Sequence, residues 1–204
     1  MKAKIFDYWT LLITAAVATL CAAVIFLVVR RPAGSEEYSV IRKAQDFELT
    51  NQNSETIRFG SFSDKVKVMT FLYVKCPMPN MCPLTIKNFR RLQESLEEYN
   101  KDTVLLSITF DPEVDTPGML KKYGQMYWAD FDNWHFLTGS KQTIDKVCED
   151  YGIVHERQED GTIRHSVITY LVDQRNNIRK IYIANEWKPE DIREDVITLI
   201  SEKN

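Results

Sequence analysis

Positive charge is not in surplus in this sequence: 26 Lys and Arg stand against 29 Asp and Glu, a formal charge of −3. Nor does any basic stripe interleaved with aromatics run along the chain. Nucleic-acid binding rests on neutralising phosphates, so nucleic acid is excluded as an expected partner. Internal repeats and low-complexity tracts are absent, which excludes repeat architectures. Cysteine and histidine are scarce, with four and three residues, so any site built on thiols or imidazoles draws on few candidates. Beyond an apolar N-terminal segment, about 165 of the 204 residues remain, enough for one domain with an adequate core.

Charge is also missing from Tyr8 to Val29, a run of 22 residues bounded by Asp7 and Arg30. At about 1.5 Å per residue, a helix of that length crosses a bilayer. The run is too long for a signal-peptide core and ends in Val28-Val29-Arg30-Arg31 without a small-x-small site, so an uncleaved anchor is expected. Ala18-Thr19-Leu20 before Cys21 lacks the pattern of a lipobox, which makes Cys21 a buried small residue. Flanking charge leaves the orientation open, because Lys2 and Lys4 balance Arg30 and Arg31. An Arg-rich, acid-poor transit peptide is lacking too, and the expectation is a bacterial protein. The organisation expected is an anchor over residues 1–30, a linker over 31–39 rich in Pro, Gly and charge, and a folded domain over 40–204.

What the domain does contain is an alternation of strand and helix patterns. Phe47-Glu48-Leu49 and Thr56-Ile57-Arg58-Phe59 flank a polar turn and predict a hairpin. Val66 to Val74 is β-branched and aromatic, and it stops just before Lys75-Cys76-Pro77, which predicts Cys76 in an exposed loop at a strand end. Phe89, Leu92, Leu96 and Tyr99 follow at helical spacing, and Thr103 to Phe110 reads as a strand, completing a β-α-β unit. Asp115-Thr116-Pro117 resembles a cap with proline in the first turn, opening a helix to about Tyr127, and Ile144, Val147, Cys148 and Tyr151 mark another. Strands over Val167 to Val172 and Ile178 to Ala184, then a helix entered through Pro189, close the chain. That order describes an α/β fold, a thioredoxin-like sandwich with a mixed central sheet flanked by helices, preceded by one N-terminal transmembrane helix.

Cys76, Cys82 and His165 are the candidate site residues. A cysteine pair beside a helix N-terminus has its thiolate favoured by the helix dipole, which permits metal binding or disulfide exchange. Two thiolates and an imidazole suit copper, admit zinc and exclude magnesium or calcium. The same residues also fit a stabilising disulfide with His165 as an ordinary strand-edge residue. Met78 and Met81 lie between the thiols and carry thioethers, which are Cu(I) ligands, although packing or contact with a partner also accounts for them. His135 and His155 read as structural or surface residues and Cys148 as core. Asp111 ends a strand and either lies near the site or forms a turn before Pro112.

Three stretches carry a family resemblance: Tyr73 to Pro83 (YVKCPMPNMCP), Ser107 to Pro117 (SITFDPEVDTP) and His165 to Asp173 (HSVITYLVD). In order and spacing they resemble the Sco family, also called SenC, over most of the domain. The resemblance implies a thioredoxin-like, membrane-tethered protein that binds a copper ion through Cys76, Cys82 and His165. It also implies help in assembling the copper centre of cytochrome c oxidase, with a copper-accepting oxidase subunit as partner, alongside other periplasmic copper or thiol-redox proteins. The family spacing is Cys-x-x-x-Cys-Pro, whereas five residues separate the cysteines here, two more than expected. Competing functions are a thiol-disulfide oxidoreductase acting on an oxidase subunit, with Cys76 and Cys82 catalytic, and a non-catalytic scaffold. A peroxiredoxin is disfavoured, because Tyr73 replaces the threonine three residues before its reactive cysteine. Copper and disulfide chemistry belong outside the bacterial cytoplasm, so the expected location is the cell membrane. The chain is expected to cross it once through residues 8–29, with the domain facing the periplasm or exterior.

Overall fold

The computed structural model describes residues 39–202 together with Leu12 and Ile13. Apart from Leu12 and Ile13, the anchor expected over residues 8–29 lies outside the described residues, and among those described no helix is long and apolar enough to cross a membrane. All elements below belong to one compact unit formed from Tyr38 onward.

In chain order the unit contains β1 (Arg42–Lys43), β2 (Glu48–Asn51), β3 (Thr56–Arg58), β4 (Val66–Leu72), α1 (Cys82–Ser95), β5 (Thr103–Thr109), α2 (Pro117–Met126) and β6 (Trp134–Thr138). It continues with α3 (Lys141–Tyr151), β7 (His155–Arg157), β8 (Ile163–His165), β9 (Ile168–Val172), β10 (Asn177–Ile183) and α4 (Pro189–Ser201). Among the described residues one sheet holds eight strands in the order β1-β10-β9-β4-β5-β6-β2-β3, while β7 and β8 pair separately. Strands β4, β5 and β6 are parallel, and β9, β10, β1, β2 and β3 add antiparallel pairs on either side. The sheet is therefore mixed, as expected.

Parallel neighbours need a crossover, which α1 supplies between β4 and β5 and α2 between β5 and β6. Every residue of β4 and β5 is buried, the pattern of strands covered on both faces. That burial extends to Lys67, whose Nζ donates to the Asp173 carbonyl at 2.8 Å. Burial lowers its pKa to about 8. α1 packs against α4, and Phe89 on α1 meets Trp134 and Trp187 at ring separations of 5.8 and 6.1 Å. Thr116 caps α2 by accepting from the Met119 N–H at 3.4 Å, with Pro117 following, and Ser140 caps α3.

Two features depart from the expectations. The stretch between α2 and α3 contains β6, whose run Trp134-His135-Phe136-Leu137-Thr138 sits beside β5 with Leu105 opposite Trp134. Five residues are too few to show a period against two flanking helices, so pairing decides this strand. The β7–β8 hairpin is also unforeseen, because its three-residue strands are polar and lack apolar alternation. It is this hairpin that carries His165.

Candidate metal centre

In open α/β sheets, the carboxyl ends of parallel strands are where loops converge into a ligand site. Cys76 lies just past β4, and Phe110 and Asp111 lie just past β5. The Tyr73 carbonyl accepts the Cys76 N–H at 3.3 Å, and Pro77 follows. The extra length between the cysteines is taken up in a turn: the Met81 N–H donates to the Met78 carbonyl at 3.1 Å, with Pro79 in the second position that turns favour. Met81 then enters α1, with Cys82 as the first helical residue and no side chain capping that end. The uncapped N–H groups and the helix dipole bear on the Cys82 sulfur.

His165 reaches the same place from the end of β8. Its Nε2 lies 3.5 Å from Cys82 Sγ and 3.8 Å from Cys76 Sγ, and the three donor atoms fall within 4.8 Å of one another. Nδ1 is 3.0 Å from the Ser166 carbonyl oxygen, which can only accept, so Nδ1 is the donor there and Nε2 is the ring nitrogen that faces the sulfurs. Such an outer bond fixes the tautomer of a metal-binding histidine. The ring is held by Phe110 at 4.8 Å and edge-on by Tyr73 at 5.6 Å. The Tyr73 hydroxyl also accepts the Ile163 N–H at 3.2 Å, tying the β4 exit to the hairpin.

The donor spacing fits a metal. With bonds of about 2.3 Å to sulfur and about 2.0 Å to nitrogen, trigonal or tetrahedral angles separate S and N by about 3.5 to 3.7 Å. Both cysteines are free of any disulfide. The hydrogen bond from Cys82 draws Cys76 well below the ordinary thiol range, outweighing burial and assisted by His165. That bond and burial both push Cys82 up. One correction follows for Cys76, expected in an exposed loop: it is 8 % exposed, its sulfur lying 3.8 Å from His165 Nε2 of the hairpin and 3.9 Å from the Met78 carbonyl, and Cys82 is 1 % exposed.

The other candidates separate cleanly. Asp111 is buried and turns its carboxylate to Arg157, outside the three-donor group. Met81 packs half-buried against the core while Met78 is half exposed. Cys148 is core, its thiol pushed up to about 12 by burial. His135 stacks on Phe62. His155 is closer to the site than expected: it pairs with His165 across the hairpin, and its ring stacks on Phe110 at 5.6 Å. Asp115 went unremarked as a site support. Its Oδ2 accepts from the Val74 N–H at 3.0 Å and the Thr109 hydroxyl at 2.6 Å, joining the exits of β4 and β5.

Known proteins are similar to this chain in sequence and fold. The SCO1 protein homolog of Bacillus subtilis (strain 168) is 29 % identical over 185 residues, covering 87 % of this chain and 93 % of that one. The structure of BsSco, described as a Sco family member of the cytochrome c oxidase assembly proteins with a disulfide switch, is 29 % identical with a TM-score of 0.69, covering 81 % of this chain and 98 % of that one. Arabidopsis thaliana ScoI, solved with copper bound, is 22 % identical with a TM-score of 0.68 over 78 % of this chain and 98 % of that one, and it shares the fold. A family model described as SCO1/SenC matches residues 35–201, which include the sheet, both cysteines and the histidine hairpin, and on that match the chain belongs to the SCO1/SenC family.

Proposed function

We propose that this protein is a membrane-anchored copper-binding protein that delivers copper to, or assembles the copper centre of, cytochrome c oxidase, with the ion as its cargo. The observation that carries this reading is the meeting of two sulfurs and one imidazole nitrogen within 4.8 Å, with the other ring nitrogen anchored on the Ser166 carbonyl. Soft thiolates with a borderline imidazole select copper or zinc over hard cations. Membership of a family described by its role in oxidase assembly supports copper among the two. Cys76, Cys82 and His165 are the proposed ligands. Ligand exchange with a recipient would take place from the side of half-buried His165, the least buried of the three. The anchor is assigned to residues 8–29, with the domain facing the periplasm or exterior, and a reporter fusion showing the domain in the cytoplasm would refute that topology.

Cu(I) titration of the reduced, full-length chain in detergent tests the reading. One ion per chain is expected, with loss of binding in Cys76→Ser and Cys82→Ser and a weakening in His165→Ala; a wild-type chain that takes up no copper sinks it.

The closeness of two free thiols at the start of α1 favours a second reading, a thiol-disulfide oxidoreductase. Cys76 as thiolate would attack a disulfide of an oxidase subunit, and Cys82 would resolve the mixed disulfide. The partner would leave with two thiols and this chain with one disulfide. That chemistry needs no imidazole ligand, so oxidase assembly preserved in cells carrying His165→Ala would favour it over copper delivery.

A further inference from the structure

Asn185 lies outside every motif above, in the turn between β10 and α4, yet its side chain is bonded to the loop that separates the cysteines. Its Nδ2 donates to the carbonyl of Asn80 at 3.0 Å and to that of Met81 at 3.1 Å, and its Oδ1 accepts from the Thr85 hydroxyl at 2.9 Å. Two carbonyl acceptors on one side require the NH2 group there, which assigns the amide orientation. Met81 immediately precedes Cys82, and its carbonyl also takes the Thr85 N–H at 2.9 Å, the first bond of α1. Asn185 therefore grips the turn that absorbs the extra loop length and the first turn of the helix that carries Cys82.

The residue beside it is fastened to the opposite half of the site. The Ala184 N–H donates to the Val167 carbonyl at 2.8 Å, two residues beyond His165. Ala184 adopts φ 57°, a left-handed conformation that a residue with a β-carbon keeps only where its surroundings hold it. Cys82 and His165, whose donor atoms approach to 3.5 Å, come from elements far apart in sequence, and residues 184 and 185 span their two supports.

We propose that Asn185 is a positioning residue for the copper site: its amide latches the enlarged loop so that Cys82 faces His165 before the ion arrives. The proposal rests on the reading of Cys76, Cys82 and His165 as a copper site. A donor set held in place in advance gains affinity because less order has to be imposed on binding, and residues one bond behind the ligands set that order.

The test measures Cu(I) affinity of the reduced, full-length chain in detergent by competition with a chromophoric Cu(I) chelator, beside thermal unfolding of the metal-free protein. Asn185→Asp keeps the shape but replaces the donor NH2 with an acceptor facing two carbonyls. Thr85→Val removes the hydroxyl that orients the amide. In Asn185→Asp the affinity is expected to fall about 10- to 100-fold and the sulfur-to-copper charge-transfer band of the Cu(II) form to shift, while the metal-free melting midpoint stays close to wild type. Thr85→Val is expected to fall in the same direction by less. Wild-type affinity and an unshifted band in Asn185→Asp overturn the latch and leave the three-ligand reading intact. Should Asn185→Asp not fold, an unchanged affinity in Thr85→Val overturns it equally. A wild-type chain that binds no Cu(I) overturns the copper reading and the latch together.

Discussion

A carboxyl group with no access to water behaves differently from one on the surface, and Asp115 is fully buried. Its Oδ2 takes two hydrogen bonds, its Oδ1 finds no partner, and burial raises its pKa to about 6 from 3.8. The native state then holds the proton more tightly than the unfolded chain between those two values. Stability from this residue is greatest in acid, falls as pH rises through that window, and carries the full penalty above about pH 6. Asp115→Asn retains an oxygen for Val74 and Thr109 and removes the charge. The stability difference between variant and wild type is expected to move in favour of the variant by about 2 to 3 kcal/mol between pH 3.5 and pH 7. Urea unfolding of both proteins at both pH values measures it, and parallel pH dependence would show that Asp115 does not titrate in this way. Sequence reading took Asp115 as part of a helix cap; Thr116 fills that place, and only the approach of β4 to β5 gives Asp115 its second role.

Close approach between elements, as well as apolar burial, holds α2 against the sheet. At Gly124 in α2, an added β-carbon would stand 2.6 Å from Phe131 Cε1 and 2.9 Å from Phe136 Cε2. Helix propensity alone favours alanine there by about 1 kcal/mol. The steric conflict outweighs it, because both rings belong to the packed layer between α2 and β6 and a shift of one disturbs the other. Gly124→Ala is expected to destabilise the metal-free protein by about 1 to 3 kcal/mol. A thermal midpoint at or above wild type would mean that propensity wins. Legibility in the sequence follows local pattern, which length helps to show but which a polar turn between two short runs supplies for β2 and β3. β4, β5, α3 and α4 read clearly because seven or more residues repeat one pattern, whereas β6, β7 and β8 have three to five residues each and owe their form to neighbours.

For the whole molecule, the site joins segments that the chain keeps far apart, so an ion held there is a cross-link of the native state alone. By mass action, a ligand bound only by the folded chain stabilises it by about 4 kcal/mol at a thousandfold excess over its dissociation constant. Reduced protein is therefore expected to melt at a higher temperature with Cu(I) than without, by several degrees. Cys76→Ser should erase the increment and His165→Ala reduce it, without lowering the metal-free midpoint by a comparable amount. An increment that survives in Cys76→Ser would place the stabilising ion somewhere other than the three proposed ligands.

By itself the sequence determined the alternation of strands and helices, the two thiols at a strand-to-helix junction, the histidine paired with them by family spacing, and the unusual length of the loop between the cysteines. Those properties are local: periodicity, cap and turn chemistry, and the order of short motifs are written within a few residues of where they act. Tertiary structure decided what depends on contacts between distant segments. It buried Cys76 with its sulfur against His165 of the β7–β8 hairpin, turned His165 Nε2 toward the sulfurs through the bond from Nδ1 to Ser166, and directed Asp111 to Arg157. It also brought Asn185 against the loop after Asn80, more than a hundred residues earlier in the chain. No pattern around Asn185 announces that contact, because a hydrogen bond between remote segments leaves no periodic trace in either of them.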